Sequence, residues 1–296
     1  MVRVRCFHMD RPHLSTALLA CWLIQPFVPD TGLAQVSPPI TSSGLNTSIT
    51  QSGHVYDITG GTRPGSGANL FHSFGEFGVP TSHIANFLND AALPTANILG
   101  RVTGGNPSNI FGTLQTTGFG SANLFLMNPA GIVFGPTASL NVGGSVSFTT
   151  ADYLRVTDGT HFNALPGPAD ASISSAPVAA FGFLGSNPAA ITVAGSQLAV
   201  SEGQGISLVG GNLTVQNGTL GNATVQPARL SAPAGHINLA SVASPGEVLA
   251  AGALPTEPTL SGFTSMGTIA LTPGAVVSTS GHTAGRIVIR SGQFSM

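Results

Sequence analysis

Short stretches in which apolar and polar residues alternate, each ended by Gly, Asn or Pro, dominate the second half of the chain. They include residues 205–220, 235–242, 267–281 and 285–294. Because side chains alternate between the two faces of a strand, each stretch places two apolar side chains on one face: Ile206/Leu208, Ile237/Leu239, Ile269/Leu271 and Ile287/Ile289. Strands this short are not stable as isolated hairpins. The pattern therefore predicts short strands that stack on similar neighbours.

The run LFLM, residues 124–127, departs from this alternation because it is apolar on both faces. A strand of this kind is usually covered on both sides. If such strands stack into a wall around an apolar interior, one side of the wall faces that interior and the other faces water. The run therefore predicts that something, such as an extra pair of strands outside the wall, packs over it.

The tetrapeptide Asn128-Pro129-Ala130-Gly131 suits a type I turn at every position. Asn accepts hydrogen bonds from backbone N–H groups at the first position, Pro presets φ at the second, and Gly favours the fourth. Pro also disfavours a helix and cannot donate to a strand ladder. The tetrapeptide therefore predicts a corner after which a strand starts, near Ile132.

Another Asn-Pro pair, Asn106-Pro107, lies 22 residues before Asn128. Three strands of about five residues with short turns make a coil of about this length, so the spacing predicts a parallel β-helix in which the two turns stack. A third pair, Asn187-Pro188, follows 59 residues after Asn128 and predicts insertions between coils. The alternatives are a sandwich or an up-and-down barrel, but their typical Asn-Gly hairpin signal is rare here.

The composition favours an all-β chain. Only 7% of the 296 residues are charged, against roughly 25% in an ordinary globular protein, and there is no lysine to solvate a helical face. The chain has 39 Gly and 21 Pro, mostly scattered, as expected for many short strands joined by tight turns.

The start of the chain has a different composition. Three arginines precede an apolar run at residues 14–24, and a small-x-small site ends at Ala34. These features are typical of a secretory signal peptide, so we predict a signal peptide at 1–34 and an exported domain at 35–296. The alternative is a lipoprotein site with Cys21 as the acylated residue.

Residues 101–154, RVTGGNPSNIFGTLQTTGFGSANLFLMNPAGIVFGPTASLNVGGSVSFTTADYL, resemble part of a known family. With residues 58–77 and 85–90, they are similar to the amino-terminal secretion domain of filamentous haemagglutinins and related two-partner-secretion exoproteins. The resemblance is dense over residues 36–153 and thinner from there to the end. It implies a right-handed parallel β-helix with an amino-terminal cap and short strands added outside the coils.

The resemblance also implies a partner, an outer-membrane pore-type transporter with periplasmic domains. It further implies export through the periplasm of a double-membraned bacterium to the surface or the medium. The general secretion machinery would handle the signal peptide.

The resemblance extends to the Asn-Pro motifs. The family's second motif reads Asn-Pro-Asn-Gly-Ile, and this chain departs from it only at Ala130; its first motif reads Asn-Pro-Asn-Leu, and this chain departs from it at Ser108 and Asn109. The resemblance supports turn and capping roles as strongly as contact with the partner. The candidate recognition or capping residues are Asn106, Pro107, Asn128, Pro129, Gly131 and Ile132.

A polysaccharide-acting β-helix enzyme would need an acidic cluster and a basic group in a groove. The acidic residues are not paired at strand spacing, and the histidines are interpreted as isolated turn or surface residues: His54, His72, His83, His161, His236 and His282. We expect no enzyme activity, metal or cofactor. The six arginines after residue 34 form no basic run, so no nucleic-acid partner is expected. The alternative function is a surface adhesin with an unknown host or cell-surface ligand.

Overall fold

A computed structural model describes residues 39–167, 173–249 and 259–296. The predicted signal peptide lies outside the described residues. A 3-10 turn at Pro64–Ser66 is the only helical element that they contain. The 29 strands of the described residues are β1 Ile40–Ser42, β2 Thr47–Ser52, β3 Val55–Gly60, β4 Asn69–Phe77, β5 Ile84–Leu88, β6 Asn97–Val102, β7 Ser108–Ile110, β8 Thr113–Thr117, β9 Asn123–Met127, β10 Ile132–Phe134, β11 Ser139–Asn141, β12 Val146–Thr149, β13 Tyr153–Val156, β14 His161–Asn163, β15 Val178–Phe183, β16 Ile191–Ala194, β17 Gln197–Ala199, β18 Gly205–Gly210, β19 Leu213–Gln216, β20 Gly218–Thr219, β21 Val225–Gln226, β22 Arg229–Ser231, β23 His236–Ser241, β24 Gly246–Leu249, β25 Thr259–Ser261, β26 Thr268–Leu271, β27 Val276–Ser278, β28 Arg286–Arg290 and β29 Gln293–Ser295.

Three long sheets form the walls of a right-handed parallel β-helix. Sheet 1 has the order β1-β4-β6-β9-β12-β18-β23-β28, sheet 2 the order β7-β10-β16-β19-β26-β29, and sheet 3 the order β2-β3-β5-β8-β11-β17-β22-β27. From β6 onward the chain visits sheets 1, 2 and 3 in turn, and successive passes through one sheet pair in parallel. The predicted fold class is confirmed.

The interior of the helix is filled by apolar side chains that repeat in register from coil to coil. In sheet 1, Ile98, Leu124, Val146, Ile206 and Ile237 occupy one such column, and all five are buried. Each added coil therefore buries its apolar side chains against the preceding coil. This is why strands too short to be stable alone form a stable stack.

The amino end of the helix is closed by antiparallel strands. Strand β1 pairs antiparallel with β4, where Ile40 lies opposite Phe77, and β2 pairs antiparallel with β3. Ile40 and Phe77 are both buried. The cap therefore covers the first parallel coil, as the family resemblance implied.

A five-stranded antiparallel sheet, with the order β14-β13-β15-β24-β25, packs over the outer face of sheet 1. We call it the outer sheet. Phe125 and Met127 of β9 point into the second hydrophobic core, while Leu124 and Leu126 point into the helix interior. The predicted cover over the LFLM run is thus confirmed.

Candidate functional site

The three Asn-Pro turns lie at one corner of the helix, where the chain enters sheet 2. They precede β7, β10 and β16, which are neighbours in that sheet. Ile132 lies opposite both Ser108 and Ile191, so the register spacings are 24 and 59 residues. The two turns stack as predicted, but the predicted coil of 22 residues is two residues too short at this corner, because the first turn enters its strand two residues sooner after its Asn. The predicted insertion before the third turn is the excursion through β13, β14 and β15.

The side chain of Asn128 ties the second turn to the first. It is fully buried, and its Nδ2 donates to the backbone oxygen of Asn106 at 3.1 Å and to Oγ of Ser108 at 2.9 Å. Its Oδ1 accepts the backbone N–H of Ala130 at 2.9 Å. The Gly131 N–H donates to the Asn128 backbone oxygen at 3.1 Å, which closes the predicted turn. All of these bonds remain inside the domain, so Asn128 presents no group to solvent.

Gly131 is required by the backbone at the end of this turn. Its φ is +117°, a conformation that side chains with a Cβ rarely adopt. A Cβ at this position would lie 3.3 Å from the backbone oxygen of Ala190 in the third turn. Ile132, directly after it, is fully buried in the helix interior. The motif therefore forms a corner between two stacked neighbours.

The first turn is more exposed than the second. Asn106 and Pro107 are exposed, and Nδ2 of Asn106 donates to Oε1 of Glu76 at 3.0 Å. Pro129 and Ala130 of the second turn are only partly exposed. In the folded domain, a protein partner therefore has access to the side chains of Asn106, Pro107 and Pro129 but not to that of Asn128.

A groove of about 440 Å³ lies between the corner and the outer sheet. Two leucines beside it are 68% exposed, which is unusual for large apolar side chains. Its lining is mostly apolar and consists of Val102, Thr103, Gly104, Gly105, Pro129, Ala130, Asp152, Asn163, Ala164, Leu165 and Leu184.

Arg101, next to this groove, fastens the outer sheet to sheet 1. The side chain is 1% exposed, and its Nη1 donates to the backbone oxygen of Asn163 at 2.9 Å. Its Nε donates to Oγ of Ser73 at 2.9 Å, and its guanidinium lies 5.2 Å from the ring centroid of Phe162. A buried charge needs such partners, so Arg101 holds one wall of the groove in place.

The outer sheet carries a polar network on its solvent side. Arg155 binds both carboxylate oxygens of Glu247 at 2.9 and 2.7 Å, and Oη of Tyr153 donates to Oε1 of Glu247 at 3.0 Å. The hydrogen bond from Arg155 lowers the pKa of Glu247, while burial and the bond to Glu247 raise the pKa of Tyr153 to about 12. These groups are bound to one another and thereby join β13 to β24.

An asparagine ladder at the start of the sheet 1 strands was not predicted. Nδ2 of Asn97 donates to Oδ1 of Asn69 at 2.9 Å, and Nδ2 of Asn123 donates to Oδ1 of Asn97 at 3.0 Å. Oδ1 of Asn123 accepts the backbone N–H of Ser145 at 3.1 Å. The signal was present in the sequence as Ala-Asn pairs that recur at intervals of 28 and 26 residues. These intervals are the coil lengths from β4 to β6 and from β6 to β9.

The interpretation of the histidines as isolated surface or turn residues is wrong for His72, which is buried, while His54, His83 and His282 are exposed or partly exposed as predicted but are not isolated. His72 is 1% exposed and lies inside the helix, where burial and the charge of Arg63 lower its pKa to about 3. His54 and His83 contact each other, with Nδ1 and Nε2 3.3 Å apart. They are 29 residues apart in sequence, and the coil brings them together.

No three His, Cys, Asp or Glu side chains of the described residues are grouped so that they could hold a metal ion. Within the same residues, no helix has the length and apolarity needed to cross a membrane.

Comparison with known proteins identifies the class of protein. A family model described as "TPS secretion domain" matches residues 34–294. The chain therefore belongs to the secretion-domain family of two-partner-secretion (TPS) exoproteins. No curated protein matches it.

Two solved structures are similar to this fold. A filamentous haemagglutinin secretion domain is 16% identical, with a TM-score of 0.51 over 87% of this chain and 97% of that chain. The HMW1 secretion domain from Haemophilus influenzae is 16% identical, with a TM-score of 0.48 over 78% of this chain. This chain spans 54% of the length of the HMW1 chain.

Proposed function

We propose that residues 35–296 are the domain by which an exoprotein is recognised and exported by an outer-membrane pore partner with periplasmic domains. Residues 1–34 serve as the signal peptide for the general secretion machinery, and the domain folds outside the cell. It acts as a binding and folding module rather than as an enzyme. The observation that carries the proposal is the family match over residues 34–294 of a parallel β-helix.

Folding outside the outer membrane makes the passage of the chain through the pore proceed outward. A closed coil is too wide to re-enter a narrow pore, and about 1.4 kcal/mol changes an equilibrium tenfold. A domain stability of roughly 5–15 kcal/mol is therefore sufficient. Each coil pairs mainly with the preceding one, so coils can close in the order in which they emerge.

The burial of Asn128 determines in which folding state a partner can contact the side chain of Asn128 in the second Asn-Pro motif. Its amide is enclosed by Asn106, Ser108 and Ala130 in the folded domain. Direct contact between the transporter and this side chain therefore requires an unfolded or partly folded chain. Asn106 and Pro107 are exposed and remain accessible in either state.

The proposal is tested by exporting the full chain with and without its matching pore partner. We expect the protein in the medium or on the cell surface only when the partner is present. Export at equal levels without the partner would refute the proposed function.

A second experiment separates contact from folding at the motif. We expect replacement of Asn128 and Pro129 together by alanine to weaken the β signal in circular dichroism along with export, because the corner no longer forms. The control, Asn141→Ala, removes one exposed side-chain hydrogen bond, to Gln115, outside the Asn-Pro turns. If the double variant loses export but keeps its circular dichroism, the motif is a contact site rather than a corner.

A further inference from the structure

Two histidines are placed side by side by the first coils of the helix. His54 precedes β3 and His83 precedes β5, and these strands pair in parallel with Val55 opposite Ile84. The backbone N–H of Ile84 donates to the backbone oxygen of His54 at 2.9 Å. The two positions are therefore held in register by the ladder, while the ring atoms in contact lie on the surface.

The two ring nitrogens have the separation of two ligands of one metal ion. His54 Nδ1 and His83 Nε2 are 3.3 Å apart, and the ring planes are inclined by 79°. Imidazole nitrogens bind Zn²⁺ at about 2.0–2.1 Å, so two ligands at a tetrahedral angle lie roughly 3.3 Å apart. Without a metal, one hydrogen bond between these nitrogens is compatible with the same separation.

His83 is oriented as metal-binding histidines usually are. Its Nδ1 lies 3.0 Å from the backbone oxygen of Thr81, which can only accept a hydrogen bond. The proton of a neutral His83 is thus on Nδ1, and the free lone pair is on Nε2, the nitrogen 3.3 Å from His54 Nδ1. A backbone carbonyl on the far nitrogen fixes the tautomer of a ligating histidine in this way. Tyr56 supports the ring from one side, with stacked centroids 5.7 Å apart.

We propose that His54 and His83 bind a divalent transition-metal ion of the copper, nickel or zinc type, through Nδ1 and Nε2 respectively. No third His, Cys, Asp or Glu of the described residues joins the pair, so water completes the coordination. Neutral imidazoles suit these ions, and the affinity of a nitrogen site rises from Ni²⁺ to Cu²⁺ and falls again at Zn²⁺.

The proposed ion would link the β2–β3 hairpin of the cap to β5, which pairs in parallel with β3. His54 lies in the turn between β2 and β3, and His83 leads into β5. A ligand that binds only the folded state stabilises that state. The ion would therefore raise the unfolding temperature through the cap.

The test uses the exported protein, purified without a histidine tag, titrated with Cu²⁺ and examined by electron paramagnetic resonance. We expect one bound Cu²⁺ with hyperfine coupling to two nitrogens, and at least a tenfold loss of its affinity in His54→Ala and in His83→Ala. His282→Ala is the matched control, since His282 is an exposed histidine on the far coils, bound to Glu202 at 2.8 Å.

The outcomes are distinct. Equal Cu²⁺ affinity in all four proteins would overturn the proposal, and so would a loss confined to only one of the two variants. Circular dichroism shows whether His54→Ala, a change at an exposed side chain, leaves the fold intact. A further variant, His54→Gln, keeps a polar side chain there and should also lose the two-nitrogen signal.

Discussion

Replacing Asn128 by alanine tests the structural role of the second Asn-Pro turn. The substitution removes three hydrogen bonds, to the Asn106 backbone oxygen, the Ser108 hydroxyl and the Ala130 N–H. A typical intramolecular hydrogen bond contributes about 1 kcal/mol net, and a buried group left without a partner costs about 1–3 kcal/mol. The side chain of Asn128 is 0% exposed, so water does not reach the groups that lose these hydrogen bonds. We expect the free energy of unfolding to fall by about 3 kcal/mol.

Urea denaturation followed by circular dichroism measures this loss as a shift of the midpoint. Asn106→Ala is the matched control because it removes an asparagine from the neighbouring turn. That residue is exposed and makes one side-chain bond, to Glu76, so its loss should cost at most about 1 kcal/mol. If the two variants lowered the free energy of unfolding equally, Asn128 would not be a tie between coils.

Two further predictions concern the backbone and pH. Gly131→Ala should lower the free energy of unfolding by about 1–3 kcal/mol, because φ is +117° and a Cβ would lie close to the backbone oxygen of Ala190. The control is Gly105→Ala, where a Cβ meets nothing within 4 Å, and it should leave the free energy of unfolding unchanged. Urea titrations measure both, and equal losses in the two variants would contradict the prediction. Burial, with Arg63, lowers the pKa of His72 to about 3, so below its unfolded pKa of about 6.5 only the unfolded chain takes up this proton. Stability should fall as the pH falls from about 6.5 towards 3, by about 1.4 kcal/mol per pH unit. In His72→Gln the part of the pH dependence that comes from this side chain should be absent. If the urea midpoint of the variant depended on pH as that of the wild type does, the prediction for His72 would be refuted.

Features that depend on neighbouring residues were predicted well from the sequence. The turn at Asn128 and the buried strand start at Ile132 follow from local chemistry, and both are present. The cover over Phe125 and Met127 follows from their failure to alternate. In each case the physical cause lies within a few residues of its effect.

Features that depend on the coil length were missed. The Asn69 and Asn97 ladder and the His54–His83 pair join residues 28 and 29 apart, and no local pattern states that these residues meet. The outer sheet was predicted only as a cover, because β15 pairs with β24 after more than sixty intervening residues. Once the register of one coil is known, the asparagine ladder and the histidine pair can be found by counting residues along the sequence.

The most direct test of outward folding is the reactivity of one buried position on either side of the outer membrane. Ser147 is 0% exposed and its hydroxyl has no hydrogen-bond partner, so Ser147→Cys should be tolerated; Ser121→Cys, in an exposed turn, is the control. We predict that a permeant thiol reagent modifies both cysteines at similar rates in chains held in the periplasm behind an inactive transporter. In the exported protein, the cysteine at 147 should react at least about 100-fold more slowly than the cysteine at 121, because the reagent reaches it only when the core opens. Protection of position 147 already in the periplasm, followed by normal export, would contradict the claim that the coils close outside.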